Sequence, residues 1–172
     1  MTVTNDKEIT ALLVIDPYND FISEGGKLWD RLKAVAEANG CVPHMLQVLN
    51  AARKAGLRIF YGLHHRYRPG DYETWKYIAP IQKAAWSHKT FEYGTWGGEI
   101  RSELAPQVGD IVRLPAINSV DRTQFLRDLR HRVPSIQRVL HQRATYDCRE
   151  RLRCLDGAAI GIDLIYVPQN VR

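Results

Sequence analysis

Short apolar runs alternate with helix-spaced apolar positions along the first part of the chain. Residues 11–15 are continuously apolar and lead into Asp16 and Pro17. Such a run is typical of a buried parallel strand whose carboxyl end opens into a site. Helical spacing follows twice, and Gly56 ends the second helix before a further apolar run. The pattern predicts a strand, two helices and a strand over residues 11–16, 28–39, 43–55 and 58–63.

The rest of the chain continues the alternation. A third strand begins near Gly109, and weaker patterns follow it. Strands that alternate with helices are typical of a parallel sheet covered by helices. We therefore expect one α/β domain spanning residues 1–172. The further elements predicted are helices near 80–87, 122–130 and 148–155, and strands over 136–140 and 162–167.

Residues 66–98, which we call the aromatic loop, contain eight tyrosine, tryptophan and phenylalanine residues together with proline and glycine. In α/β folds, a long excursion after the carboxyl end of a strand commonly provides binding surface. The sequence therefore predicts that this loop lines a site for a small molecule. Its aromatic residues are Tyr67, Tyr72, Trp75, Tyr77, Trp86, Phe91, Tyr93 and Trp96.

Charge divides the chain near residue 113. Residues 1–112 carry 13 basic and 13 acidic side chains, whereas residues 113–172 carry 11 arginines, no lysine and 6 acidic side chains. The whole net charge of +5 thus lies in the last third. The arginines there do not share one helical face and have few aromatic neighbours, which argues against nucleic-acid binding. A solvated surface is the simpler interpretation.

Three cysteines, no apolar run of 18 residues and a polar beginning predict a cytoplasmic protein without a membrane span. The glycine pairs lack phosphate-loop spacing, so we expect no cofactor. His64 and His65 follow the second strand, but no aspartate stands two positions before them. We therefore predict no metal site.

Three segments carry recognisable motifs: the opening strand with its Asn-Asp-Phe ending over residues 13–21, and the segments over 92–99 and 104–112. As a set they resemble the isochorismatase-like (cysteine hydrolase) superfamily. The resemblance implies a three-layer Rossmann-like parallel sheet with helices on both faces, C-terminally truncated relative to the family. It also implies a homo-oligomer and an Asp–Lys–Cys triad that hydrolyses amides.

Carried over by residue, the resemblance assigns the catalytic pair to Asp16 and Cys148 and places Phe21 and Trp96 at substrate-binding positions. A cysteine thiolate is the nucleophile in such sites, and the aspartate moves its proton. The family lysine is missing, because its position holds Arg113 or Leu114. Arginine keeps the positive charge but cannot give up a proton.

We therefore expect a hydrolase that acts on a C–N bond of a small amide-like molecule. The alternative is a catalytically inactive homologue that serves as a binding or oligomerisation unit. Two explanations remain open for residues 113–172, where the resemblance and the charge pattern change together. The segment has either diverged strongly or is translated from a shifted reading frame of an ancestral gene.

Overall fold

A computed structural model describes residues 7–113 and the strands over 138–143 and 163–166. The strands are β1 (Thr10–Ile15), β2 (Arg58–Gly62), β3 (Ile111–Arg113), β4 (Arg138–Arg143) and β5 (Asp163–Tyr166). The α-helices are α1 (Asn19–Ile22), α2 (Trp29–Ala38), α3 (Cys41–Lys54) and α4 (Pro80–His88). Two 3₁₀ helices cover Trp96–Gly98 and Ser102–Leu104.

The five strands form one parallel sheet in the order β3-β2-β1-β4-β5. The predicted α/β class with a parallel sheet is thus confirmed. Every residue of β1 is buried, as expected for the central strand of such a sheet. Among the described residues, no helix is long and apolar enough to cross a membrane. The helices predicted at 122–130 and 148–155 lie outside the described residues.

The core lies between one face of the sheet and α3. Met45, Leu49 and Ala52 recur at the spacing of one helical face, and all three are buried against β1 and β2. Gly56 follows the helix with φ +72°, a left-handed conformation that glycine adopts without strain. The sequence prediction for this helix and its end is therefore confirmed.

Two features depart from the sequence pattern. The helical spacing of residues 28–39 predicts Val35 on the apolar face of α2, yet Val35 is 57% exposed. The pattern also did not predict α1, because four residues are too few to show helical periodicity. Contacts from distant residues hold this short helix: the Asn19 N–H donates to the carbonyl of Glu99 at 3.0 Å.

Candidate active site

Asp16 stands at the carboxyl end of the central strand β1. Its side chain is 3% exposed, and its backbone has φ +50°, which is uncommon outside glycine. Its N–H donates to the carbonyl of Gly62 at 3.0 Å, and its Oδ1 accepts from the N–H of His64 at 2.6 Å. Asp16 is therefore a buried carboxylate whose orientation is fixed by the residues that follow β2.

Both backbone polar groups of His64 form hydrogen bonds with side chains that follow β1. Asp16 accepts from the His64 N–H, and the Tyr18 hydroxyl donates to the His64 carbonyl at 2.7 Å. Burial raises the pKa of Tyr18, and the negative charge of Asp16 raises it further. The phenol therefore keeps its proton, and with it this hydrogen bond, above the pH at which an exposed tyrosine ionises.

Phe91 is the centre of an aromatic group beside Asp16, which we call the Phe91 cluster. Its ring lies 4.9 Å from Tyr18, 4.7 Å from Phe21 and 5.2 Å from His64, measured between centroids. Phe91 has φ +55°, which is strained for a bulky residue. These ring contacts help to offset the strain and hold the aromatic loop against α1.

Asp20 and Asn19 connect α1 to the aromatic loop through polar contacts. Asp20 Oδ2 accepts from the N–H of Phe91 at 2.7 Å, and its Oδ1 accepts from the N–H of Lys27 at 3.0 Å. Asn19 Nδ2 donates to the carbonyl of Trp96 at 2.9 Å. These two side chains therefore position the loop, and they do so from inside the protein.

The structure brings two of the four predicted site residues into one neighbourhood. Asp16 accepts from the N–H of His64, which belongs to the Phe91 cluster. The ring of Phe21 packs on the ring of Phe91 in the same cluster. Trp96 begins the first 3₁₀ helix, and its side chain is 55% exposed. Cys148 lies outside the described residues.

The ends of three strands lie side by side at the candidate site. Ile15 pairs with Gly62 of β2 and with Arg143 of β4, so Asp16 follows the point where all three strands end. Arg113 ends β3 and pairs with Gly62, one strand further from Asp16. Leu114 lies outside the described residues. Ligands of open parallel sheets bind outside these carboxyl ends.

The sequence did not predict the supporting roles of Tyr18, Asp20, His64 and Phe91. Asn19 and Asp20 were part of the recognised opening motif, but the motif alone does not distinguish a structural carboxylate from a catalytic one. His65, considered earlier for metal binding, contacts Asp71 Oδ2 at 2.8 Å. Among the described residues, no group of three or more His, Cys, Asp or Glu side chains could hold a metal ion.

Comparison with known proteins gives a family match over residues 10–132, to the isochorismatase domain. The match continues past the charge break near residue 113. A ureidoacrylate amidohydrolase RutB from Caulobacter segnis is 33% identical over 116 residues, covering 62% of this chain and 48% of that protein. The same-named protein of Rhizobium rhizogenes is 29% identical over 113 residues, covering 60% and 46%. The chain spans about half the length of these curated relatives.

Solved structures share the fold. A cysteine hydrolase from Pseudomonas syringae has a TM-score of 0.68 at 20% identity, over 95% of this chain and 72% of that one. An N-carbamoylsarcosine amidase from Thermoplasma acidophilum has a TM-score of 0.60 at 23% identity, over 94% and 83%. A pyrazinamidase/nicotinamidase from Streptococcus mutans has a TM-score of 0.57 at 21% identity, over 94% and 86%.

Proposed function

The chain belongs to the isochorismatase family, and we propose that it hydrolyses a C–N bond in a small amide-like substrate. One observation carries this proposal: Asp16 is buried at the carboxyl end of β1 with Oδ1 fixed by the His64 N–H. A buried, oriented carboxylate is suited to moving protons. The names of the relatives, amidohydrolase and amidase, support amide chemistry.

In the proposed reaction, Asp16 accepts the proton of the Cys148 thiol, and the thiolate attacks the carbonyl carbon of the substrate. The C–N bond breaks as Asp16 returns the proton to the leaving nitrogen, and a thioester remains. Asp16 then takes a proton from water, whose oxygen attacks the thioester. The acid product leaves, and Cys148 regains its proton.

Chain connectivity supports the pairing of Asp16 with Cys148. Cys148 comes five positions after Arg143, the last residue of β4, and β4 is the direct neighbour of β1. Neighbouring strands lie about 4.8 Å apart, and five residues can span up to about 17 Å. The cysteine is thus within reach of Asp16.

Phe21 and Trp96 are proposed to contact the substrate, because both belong to segments that Asp20 and Asn19 hold beside Asp16. The Phe21 ring packs on Phe91, and Trp96 exposes much of its ring at the start of a 3₁₀ helix. Their aromatic surfaces suit a small planar amide group.

A binding or oligomerisation unit without activity is the second candidate. The missing family lysine favours it, since Arg113 or Leu114 at that position cannot exchange a proton. The hydrolase proposal requires instead that Asp16 alone carries the proton.

We also propose a cytoplasmic homo-oligomer of single three-layer domains spanning residues 1–172. Leu13, Ile15 and Phe60 point to the sheet face opposite α3 and are buried, which supports helices on both faces. Ile111 and Val112 on the edge strand β3 expose apolar surface, which supports association of subunits.

Iodoacetamide labelling, resolved by peptide mass spectrometry, tests the hydrolase proposal. We expect Cys148 to react roughly tenfold or more faster in the protein than in a synthetic peptide of residues 144–153, because an activated thiol is more often a thiolate. Burial raises the pKa of the Cys41 thiol to about 11. Slow labelling of Cys41 therefore shows that the protein remains folded.

Asp16→Asn is the decisive variant, because an asparagine Oδ1 still accepts from the His64 N–H but takes up no proton. We expect the enhanced labelling to disappear and amide turnover to fall by about 10²–10⁴-fold. Asp30→Asn, on the exposed surface of α2, is the matched control. If Cys148 of the wild-type protein is labelled no faster than Cys148 of the peptide, and no amide is turned over, the result would favour the inactive binding or oligomerisation unit.

A further inference from the structure

His64 follows β2 at the edge of the sheet where Asp16 lies. Its N–H donates to Asp16 Oδ1 at 2.6 Å, which places the His64 Cα within about 4.1 Å of that carboxylate oxygen. Its carbonyl accepts from the Tyr18 hydroxyl at 2.7 Å. The two peptide groups that flank the His64 Cα are thereby held, so the side chain starts from a fixed point beside Asp16.

The imidazole of His64 is held by a ring contact and a hydrogen bond. Its centroid lies 5.2 Å from that of the Phe91 ring, and its Nδ1 lies 2.9 Å from the carbonyl oxygen of His65. Because a carbonyl oxygen only accepts, Nδ1 must carry the hydrogen of this bond. In the neutral ring, Nε2 therefore keeps its lone pair and acts as an acceptor.

The Nε2 nitrogen of His64 is available to a ligand. Among the residues that the structure describes, none forms a hydrogen bond with it, and the residue is partly exposed. The neighbouring His65 differs, because its Nε2 already contacts Asp71 Oδ2 at 2.8 Å. His65 thus stabilises the turn that follows, whereas His64 provides a hydrogen-bond acceptor next to Asp16.

Hydrolysis of the thioester would benefit from a second acceptor of this kind. A water that is bonded to Asp16 alone can still rotate about that one bond. Fixing a reacting molecule in its attacking geometry lowers the barrier to reaction. The position of the family lysine holds Arg113 or Leu114 in this chain, so a lysine does not supply the second contact.

From this arrangement we propose that His64 Nε2 holds the water that hydrolyses the thioester. This inference rests on the proposed function and adds a catalytic residue to it. One O–H of the water donates to Nε2 and stays intact, while the other proton passes to Asp16. The water oxygen bonds to the thioester carbon, the C–S bond breaks, and the Cys148 sulfur takes the proton from Asp16. The acid product keeps the second hydrogen.

The test uses p-nitrophenyl acetate, whose phenolate leaves without taking up a proton, so that hydrolysis of the thioester is observed separately. Acetylation and deacetylation of Cys148 in the full chain are followed by rapid quenching and peptide mass spectrometry. We expect His64→Ala to be acetylated as fast as the wild-type protein but deacetylated roughly 10²-fold more slowly. Its backbone contacts with Asp16 and Tyr18 involve main-chain atoms and are kept.

Further variants show whether the nitrogen itself acts. Added imidazole should occupy the space left in His64→Ala and speed deacetylation more than it does in an acetylated peptide of residues 144–153. His64→Phe keeps a ring against Phe91 without a nitrogen, so it should be as slow as His64→Ala. His44→Ala is the matched control and should react at the wild-type rate, because His44 Nδ1 also lies 2.8 Å from a carbonyl, that of Asn39, but on α3.

The outcomes separate this inference from the proposed function. Slow deacetylation of both His64 variants, with rescue of His64→Ala by imidazole, supports the inference. Deacetylation of His64→Ala at the wild-type rate overturns the inference and leaves the hydrolase proposal standing. Slower acetylation as well, or imidazole rescue no larger than in the peptide, shows a structural role and also overturns it. If wild-type Cys148 is acetylated no faster than the peptide, both proposals are overturned.

Discussion

The strand–helix segment of residues 10–22 and the aromatic loop are held by different forces. Burial of apolar side chains positions β1, whose six residues are all buried. The aromatic loop instead takes much of its shape from polar atoms that α1 supplies, namely Asp20 and Asn19. A segment that is irregular outside α4 and one 3₁₀ turn is thus positioned by buried carboxylate and amide groups that satisfy its backbone, without the ladder of hydrogen bonds that a strand has.

The two buried aspartates of this segment illustrate the same contrast. Asp20 accepts from two backbone N–H groups of distant residues, which is a structural role. Asp16 accepts from the His64 N–H and faces the end of the sheet where ligands bind. The two carboxylates are only four residues apart, yet Asp20 positions the aromatic loop, whereas Asp16 is proposed to transfer protons in the reaction.

Removing the Asp20 carboxylate should have the largest effect on stability. Asp20→Ala leaves the N–H groups of Phe91 and Lys27 without their acceptor, and each lost bond to a charged group costs about 1.5–3 kcal/mol. We expect the free energy of unfolding, measured in urea, to fall by about 3–5 kcal/mol. Glu24→Ala, on the exposed surface, should change it by less than about 0.5 kcal/mol. An unchanged midpoint for Asp20→Ala would show that the loop does not depend on α1.

A methyl group at Gly97 should disturb the packing of the Asp20 carboxylate against the aromatic loop. A Cβ there would overlap Asp20 Oδ1, closer than any real contact permits. Overpacking of this kind costs about 1–3 kcal/mol, and we expect Gly97→Ala to fall in the upper half of that range. Gly62→Ala is the matched control, because its Cβ would meet Leu13 at an ordinary 3.5 Å. Equal destabilisation by the two substitutions would contradict the close contact with Asp20.

The free energy of unfolding at alkaline pH should depend on Tyr61, a buried tyrosine outside the aromatic loop. The Tyr61 hydroxyl donates to the carbonyl of Leu104 at 2.8 Å, and burial, the larger cause, raises its pKa to about 12. The unfolded chain loses this proton near pH 10, so ionisation favours unfolding between pH 10 and 12. Stability is fully present below pH 10 and should fall by up to about 1.4 kcal/mol per pH unit above it. Tyr61→Phe should flatten this slope in urea titrations at pH 9–11.

Tyr18→Phe should give the smallest effect. It keeps the ring beside Phe91 and removes only the hydroxyl that donates to the His64 carbonyl. We expect a loss of about 1 kcal/mol in unfolding free energy, the net value of one neutral hydrogen bond. A loss as large as that of Asp20→Ala would mean that the Tyr18 hydroxyl contributes as much to the stability of this region as the Asp20 carboxylate does.

The sequence predicted the elements that burial alone determines. The strands β1 and β2 and the helix α3 show apolar spacing that the structure confirms. The β4 strand begins two residues later than predicted and ends at Arg143, because its pattern is weak. The order of apolar and polar residues shows whether a segment has the periodicity of a strand or of a helix, and β1, β2 and α3 each have such a periodicity.

The supporting parts of the site could not be predicted in this way. The Phe91 cluster depends on a left-handed backbone at Phe91 and on partners from three separate segments. Neither leaves a periodic signal in the sequence. The family motif correctly predicted that Asp16 lies at the end of β1. The structural role of Asp20 became evident only from the structure, in which its two oxygens accept from the N–H groups of Lys27 and Phe91. The roles of Cys148, Phe21 and Trp96 stay predictions.

The strand order also determines when the site can assemble during folding. Pairing of β1 with β2 joins Ala11 to Arg58, whereas pairing of β1 with β4 joins Thr10 to Arg138 and closes a chain segment more than twice as long. The longer closure costs about 1 kcal/mol more in chain entropy. The β1–β2 half, which holds Asp16 and His64, is therefore favoured to form first, and the half that leads to Cys148 joins a carboxylate that is already in place.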